Sequence, residues 1–245
     1  MKYVVEMLSD RLDLIDEVAS LDDQSWPVFL QNGDAKSWSH FYNELSDSVL
    51  VLTSNDKLIA AGFTVPLVWD GTTADLPDSI EEVLNRGLLV KRCNVQANTL
   101  VPIGALVDRE ARGQGLSSKI LVEMKNFALG SNISSLVVPV RPMFKTKYPL
   151  QSIQEYAHWR NDDGFLYDPW LRVHERLGAE IIKITDCTLE VKSSLEKWSE
   201  WTNMVFPVSG EYVVKGALSP VIVDKENKQA TYREPNVWML HPMPN

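Results

Sequence analysis

The order of the predicted elements indicates a mixed α/β (α+β) fold, in which an antiparallel meander precedes a parallel strand pair and an α/β C-terminal extension. Two early strands are joined by a tight turn, which favours antiparallel pairing. Two later strands are joined through a helix, which favours parallel pairing. The chain of 245 residues is 44% hydrophobic and 23% charged, as expected of a globular protein.

Hydrophobic periodicity and turn residues place the elements of the first half. Leu14, Val18 and Leu21 share one face of the first helix, and polar residues mark a hairpin turn at 54–56. The predicted elements are a strand over 2–8, helices over 11–30 and 37–47, two strands within 48–71, a helix over 74–87 and a strand over 99–108.

The second half begins with an amphipathic helix, for which Gly130 is a fitting stop. Pro139 and Pro142 interrupt the next strand, and proline belongs at an edge or where a neighbouring strand has separated. Asp168 and Gly178 are the expected N-cap and C-cap of a later helix. The predicted elements are helices over 117–129, 168–178 and 194–204 and strands over 134–142, 179–191, 210–215, 219–224 and 231–240.

The charge distribution argues against nucleic acid as the main partner, because 24 Lys and Arg stand against 33 Asp and Glu. Residues 109–147 nevertheless carry seven bases and two acids. This local excess fits a small anionic ligand, and a solvated basic face is the alternative.

Two further patterns bear on the cell compartment. No apolar run approaches the roughly 20 residues of a membrane helix, so we expect no membrane partner. Cys93 and Cys187 lie in no metal-binding or CxxC pattern, which favours a reduced, cytoplasmic chain without a metal site. A single disulfide between them is the alternative.

The stretch DREARGQGLSSKIL (108–121) predicts a phosphate-binding turn between a strand and a helix. Backbone N–H groups at such a helix start have no helical partner, and the helix dipole favours an anion. Glycine permits the turn and lets a ligand approach the backbone. A tight turn without a ligand is the alternative. The residues of this cradle are Arg112, Gly113, Gln114, Gly115, Leu116, Ser117 and Ser118.

The cradle resembles the acyl-CoA-binding motif of the GNAT acetyltransferase superfamily, Arg/Gln-x-x-Gly-x-Gly/Ala. The match runs from Arg112 to Ser117, where serine replaces the usual glycine or alanine. A second likeness is the superfamily's Tyr-x-x-x-Gly-Phe sequence, which here has His174 for the tyrosine, Gly178 for the glycine and Ala179 for the phenylalanine.

The resemblance implies that acetyl-CoA or another acyl-CoA binds as co-substrate, with Leu106 and Val107 contacting its pantetheine. It also implies that the fourth and fifth strands splay apart, which accounts for the prolines of the fifth strand. The implied domains are a GNAT-like core over 1–191 with insertions at 71–98 and 143–167, and a C-terminal extension over 192–245 packed on the core.

His174 is the candidate for proton transfer, because it stands where the superfamily tyrosine is thought to protonate the departing thiolate. Histidine can act as acid or base near neutral pH. Asp108 at the end of its strand is the nearest candidate base. A buried core histidine and an ordinary turn aspartate are the alternatives.

The predicted connection over 143–167 is rich in aromatic residues, since 144–170 holds seven of the chain's 22. Long connections in compact domains are often lids or binding loops. We therefore expect Trp159, Tyr167 and Trp170 to contact the acceptor substrate, with an aromatic mini-core as the alternative.

These patterns predict an acyltransferase that moves an acetyl or other acyl group from acyl-CoA directly to an amine of an unidentified acceptor. Loading of a carrier-protein thiol and CoA binding without turnover remain as alternatives. A dinucleotide-dependent enzyme is a lesser one, in which Arg141 would meet a 2′-phosphate. The C-terminal tail is a candidate to cover the acceptor site or to form a homodimer interface.

Overall fold

The structure is a computed structural model that describes residues 2–23, 25–31 and 35–243. The predicted helix over 11–30 crosses residue 24, and the predicted extension over 192–245 reaches residues 244 and 245, which lie outside the described residues. In chain order the strands and α-helices are β1 (Val4–Met7), α1 (Ile15–Asp23), α2 (Val28–Gln31), α3 (Ala35–Asn43), β2 (Val49–Ser54), β3 (Lys57–Leu67), α4 (Ile80–Arg92), β4 (Thr99–Val107), α5 (Leu116–Gly130), β5 (Ser135–Val140), α6 (Ile153–Tyr156), α7 (Pro169–Arg176), β6 (Glu180–Ser194), α8 (Leu195–Thr202), β7 (Gly210–Tyr212), β8 (Val221–Asp224) and β9 (Gln229–His241).

The described residues form two compact units. The first comprises those within 1–25, 36–139 and 240–245, and the second those within 26–35 and 140–239. These units follow contacts within the chain, so the predicted domain boundary at residue 191 stays a prediction.

The first unit contains the predicted antiparallel meander. Strands β1, β2, β3 and β4 pair in sequence order, each antiparallel to the next. The β2–β3 turn is tight because Asn55 and Asp56 both adopt positive φ, which these residue types tolerate. Helix α5 packs closely on β3, where a Cβ on Gly62 would lie 2.4 Å from the Met124 methyl carbon.

Strands β4 and β5 form the predicted splayed parallel pair. Their register comprises two residue pairs, Thr99 with Ser135 and Leu100 with Leu136. Strand β4 continues for seven residues beyond that register, to Val107, so the two strands part. The register of β4 with β3 shifts between Phe63 and Thr64, which pair with Gly104 and Pro102. Ile103 is therefore an extra, bulged residue of β4.

The second unit has its own strands and core. Strand β8 pairs antiparallel with β7 and β9, and β6 also pairs with β9. Trp198 and Tyr232 are fully buried and both contact the Phe29 ring edge-on or tilted. The Trp198 indole donates to the Ala230 carbonyl at 2.9 Å, so α8 is fixed over β9.

Two predicted helices need correction. The helix over 11–30 is broken, because Pro27 disfavours helical backbone at the preceding residue; its parts are α1 and α2. The helix over 74–87 begins only at Ile80, since the Ser79 hydroxyl caps it by accepting from the Glu82 N–H at 3.1 Å.

The element ends after residue 128 also differ from the prediction. Gly130 remains in helix α5, and Asn132 takes the left-handed conformation instead. Strand β5 ends before Pro142, which cannot donate to a ladder. The connection after it contains a 3₁₀ helix at Met143–Lys147 and helix α6.

Candidate functional site

The two glycines of the cradle have the backbone conformation that a strand-to-helix turn requires. Gly113 has a φ of 78° and Gly115 a φ of 73°, both in the left-handed region. A Cβ built on either residue has nothing within 4 Å. The backbone therefore faces open space that a ligand can enter.

Helix α5 adds free amide donors to this opening. Gly115 is its N-cap, and the Gly115 carbonyl accepts from the Lys119 N–H at 3.2 Å. By helix geometry the N–H groups of Leu116, Ser117 and Ser118 lack an intrahelical acceptor. With the dipole of a 15-residue helix, they form a site of positive potential. Gln114 is exposed beside them.

The side chains around the end of β4 are partly engaged with backbone. Arg112 is exposed, and its Nε donates to the Val107 carbonyl at 3.3 Å. Leu106 is buried and pairs with Ala61 of β3. Asp108 caps a 3₁₀ turn by accepting from the Glu110 N–H at 3.0 Å. This contact favours the turn role of Asp108, and its role as a base stays a prediction.

Three bases of the basic region over 109–147 have partners inside the second unit. Arg141 is ion-paired with Glu234 and donates to the Gly216 carbonyl at 2.7 Å. The Lys145 ammonium is buried, donates to the carbonyls of Tyr148 and Leu218, and has a pKa lowered by burial to about 8.

Lys147 is the third of these bases, and its ammonium lies 3.5 Å from the Phe144 ring centroid. The bases of the region that lie in the first unit are Arg109, Arg112, Lys119 and Lys125. Of the three bases in the second unit, Arg141 has its charge paired with a carboxylate.

Helix α7 carries His174, and its cap is the predicted one. The Asp168 carboxylate accepts from the N–H groups of Trp170 and Leu171, and Gly178 follows the helix with a φ of 86°. His174 is fully buried and packs edge-on against the Trp170 ring at 4.7 Å. This burial matches the alternative of a core histidine, and the catalytic role of His174 stays a prediction.

The aromatic connection forms a packed cluster. Trp159 and Tyr167 both lie within 6 Å of the Tyr148 ring, measured between centroids. The Tyr148 and Tyr167 hydroxyls are hydrogen-bonded at 2.8 Å. These contacts show the aromatic mini-core, and contact of Trp159, Tyr167 or Trp170 with an acceptor stays a prediction.

Sequence reasoning recognised Asp168 as a helix cap and missed its second set of contacts. One carboxylate oxygen caps the helix, and the other accepts from the Phe144 N–H at 2.7 Å and the Tyr156 hydroxyl at 2.9 Å. The Asp168-Pro169 pair predicts only the helix cap. The other contacts join residues 24 and 12 positions away, which no local pattern reports.

The described residues contain neither a metal-binding cluster nor a membrane-spanning helix. Within residues 2–23, 25–31 and 35–243, no three His, Cys, Asp or Glu residues are grouped so that they could hold a metal ion. No helix in the same residues has the length and apolar character to cross a membrane.

The chain is similar in sequence to a known acetyltransferase. No family model matches the chain. It is 29% identical over 251 residues to the arginine N-acetyltransferase avaD of Aspergillus versicolor, an alignment that covers 89% of this chain and 85% of that protein.

Two solved structures share the fold. The loading GNATL domain of CurA from Lyngbya majuscula matches with a TM-score of 0.66 at 19% identity, over 99% of this chain and 98% of that one. The GphF GNAT-like decarboxylase in complex with isobutyryl-CoA matches with a TM-score of 0.62 at 17% identity over both full chains. With its left-handed glycine turn and splayed strand pair, the chain shares the GNAT-like fold of these two structures.

Proposed function

We propose that the chain is an acyl-CoA-dependent N-acyltransferase that transfers an acetyl group to an amine of a small cationic amino acid such as arginine. The observation that carries this proposal is the open cradle at Gly113 and Gly115, whose amides and helix dipole suit a pyrophosphate. The proposed acceptor follows the name of the curated relative, an arginine N-acetyltransferase.

The cradle would bind acyl-CoA through backbone rather than through side-chain charge. The N–H groups of residues 115–118 would donate to the pyrophosphate, and Arg112 would add one positive charge. The parted strands leave backbone groups of β4 beyond Leu100 without a β5 partner, and the pantetheine amides would pair with these groups.

In the proposed reaction a neutral acceptor amine attacks the thioester carbonyl. A C–N bond forms and the C–S bond breaks, so the amine loses one proton and the CoA thiolate gains one. We assign the proton for the thiolate to His174, because histidine can donate near neutral pH. Asp108 remains a candidate for the amine proton, although its carboxylate also holds the Glu110 N–H.

A second candidate function is acyl-CoA binding without turnover. The complete burial of His174 favours it, since a proton donor must reach the reacting atoms. The free thiols of Cys93 and Cys187 support the cytoplasmic location that we propose for either function. Loading of a carrier-protein thiol and homodimer formation stay predictions.

Calorimetry with CoA and a transfer assay together test the proposal. We expect micromolar binding of acetyl-CoA, and release of free CoA when arginine is added, with acetylarginine identified by mass spectrometry. Citrulline is the matched control, because it keeps the α-amine and replaces the cationic guanidinium with a neutral ureido group. Binding without transfer to any amine would support the second function, and absence of binding at millimolar CoA would exclude both.

A further inference from the structure

Asp168 does more than a helix cap requires. Three other helices of this chain, α4, α6 and α8, are capped by the hydroxyls of Ser79, Ser152 and Ser194, which are neutral. Asp168 is 1% exposed, so capping α7 with it places a carboxylate in the interior. Burying a carboxylate costs free energy unless hydrogen bonds compensate the charge. The hydrogen bonds that Asp168 makes beyond the cap therefore need an account.

The two carboxylate oxygens of Asp168 have separate partners. Oδ1 accepts from the N–H groups of Trp170 and Leu171, the first turn of α7. Oδ2 accepts from the Phe144 N–H at 2.7 Å and from the Tyr156 hydroxyl at 2.9 Å. The first oxygen therefore completes the helix, and the second ties it to two other segments.

Those two segments lie in the connection that follows β5. Phe144 belongs to the 3₁₀ helix Met143–Lys147, and Tyr156 is the last residue of α6 and is fully buried in the aromatic cluster. Hydrogen bonds to a charged acceptor are shorter and stronger than neutral ones, and burial strengthens them further. The Oδ2 contacts thus fix the start of α7 against both segments.

The rest of α7 is held on its outer side. Arg172 donates to the carbonyls of Leu166 and Tyr167, and the Glu175 carboxylate accepts from the Leu166 N–H at 2.7 Å. His174 lies six residues, about 9 Å of helix rise, from Asp168. A shift at the start of the helix would therefore displace the imidazole, and displacement by 1 Å can cost about 100-fold in rate.

We propose that Asp168 is a positioning residue for acyl transfer, which orients the His174 helix through the contacts of Oδ2 with Phe144 and Tyr156. This role rests on the proposed acyltransferase function. It predicts that loss of the Oδ2 contacts impairs turnover while the Oδ1 cap and the binding of acyl-CoA persist.

Two variants distinguish the Oδ2 contacts of Asp168 from its Oδ1 cap. Asp168→Asn keeps a carbonyl oxygen that can cap α7, but its amide nitrogen cannot accept from Phe144 or Tyr156. Tyr156→Phe removes one donor to Oδ2 and keeps the ring in the cluster. The control is Ser194→Ala, which removes the cap of α8 in the same unit and should lower the melting temperature by about 2–4 °C without changing kcat.

We expect Asp168→Asn and Tyr156→Phe each to lower kcat at least 10-fold. The calorimetric Kd for CoA and the KM for acyl-CoA should stay within about twofold of wild type. Wild-type kcat in both variants, with a melting temperature lowered as in Ser194→Ala, would make Asp168 a cap only. If Asp168→Asn does not fold, kcat of Tyr156→Phe decides. Absence of transfer by the wild type itself would overturn the proposed function and this role together.

Discussion

Arg141 and Glu234 form an ion pair in which the carboxylate is buried, although the two residues are 93 positions apart in sequence. The Tyr232 hydroxyl donates to the same carboxylate, and burial together with the charge of Glu234 raises the Tyr232 pKa. Arg141 also holds the Gly216 carbonyl. Its guanidinium is thus engaged within the second unit, which counts against its role as a 2′-phosphate ligand.

The first prediction concerns this pair. Glu234→Gln should lower the free energy of unfolding by about 3 kcal/mol, because it leaves a partly buried guanidinium without its counter-charge. Urea denaturation measures this change. The control is Glu190→Gln, which removes an exposed partner 3.7 Å from Arg233 and should change stability by less than about 0.5 kcal/mol. Equal effects of the two variants would contradict a structural role for the buried pair.

The second prediction separates backbone strain from ligand exclusion at Gly115. Asparagine tolerates positive φ, so Gly115→Asn should fold with near-wild-type stability and yet weaken CoA binding at least 10-fold, because its side chain fills the open space of the cradle. Gly71→Asn is the control, since Gly71 also has positive φ and an open surround but lies outside the cradle. Unchanged CoA affinity in Gly115→Asn, measured by calorimetry, would argue against this cradle.

The third prediction concerns His174. Replacement by glutamine keeps a polar side chain of similar size and removes the titrating group, so kcat should fall about 100-fold with the Kd for CoA unchanged. His158→Gln is the control, because His158 is an exposed histidine in the same unit. Steady-state kinetics decide the matter: turnover equal to wild type in His174→Gln would make this histidine a packing residue.

The fourth prediction concerns pH and His241. Burial, aided by the nearby Lys125, lowers its pKa to about 4. Between the usual pKa near 6.5 and pH 4 the unfolded chain binds a proton that the folded chain does not, so stability should decline as the pH falls through this range. The loss attributable to His241 should reach about 3 kcal/mol at pH 4.

Denaturant midpoints measured from pH 8 to pH 4 test this prediction. His241→Asn removes the titrating group, so the variant should show a flatter decline than wild type below pH 6.5. Parallel pH profiles for the two proteins would show that His241 does not contribute to the acid dependence.

The sequence predicted the elements that local chemistry determines. Asn55 and Asp56 mark their turn because both tolerate positive φ, and Asp168 followed by proline marks the start of α7. The prediction for α4 begins too early, although Ser79 and Glu82 stand at the spacing of a helix N-cap pair. The resemblance anticipated the parting of β4 and β5, and the register confirms it.

Contacts between distant residues could not be predicted. The bulge at Ile103 depends on the pairing of β4 with β3, which no window of sequence contains. Arg141 and Lys145 each have partners 73 to 93 positions away, so the sequence count treats both residues as part of a free positive region. Long-range packing therefore decides which charges remain available to a ligand.

The separation of β4 from β5 after Leu100 bears on how such a protein can change over evolution. Main-chain amides and carbonyls are present whatever the side chain, so a site made from them places few demands on residue identity. Substitutions can accumulate along these strands while the same acyl donor is retained. A chain of this kind can keep its fold while the side chains along these strands change.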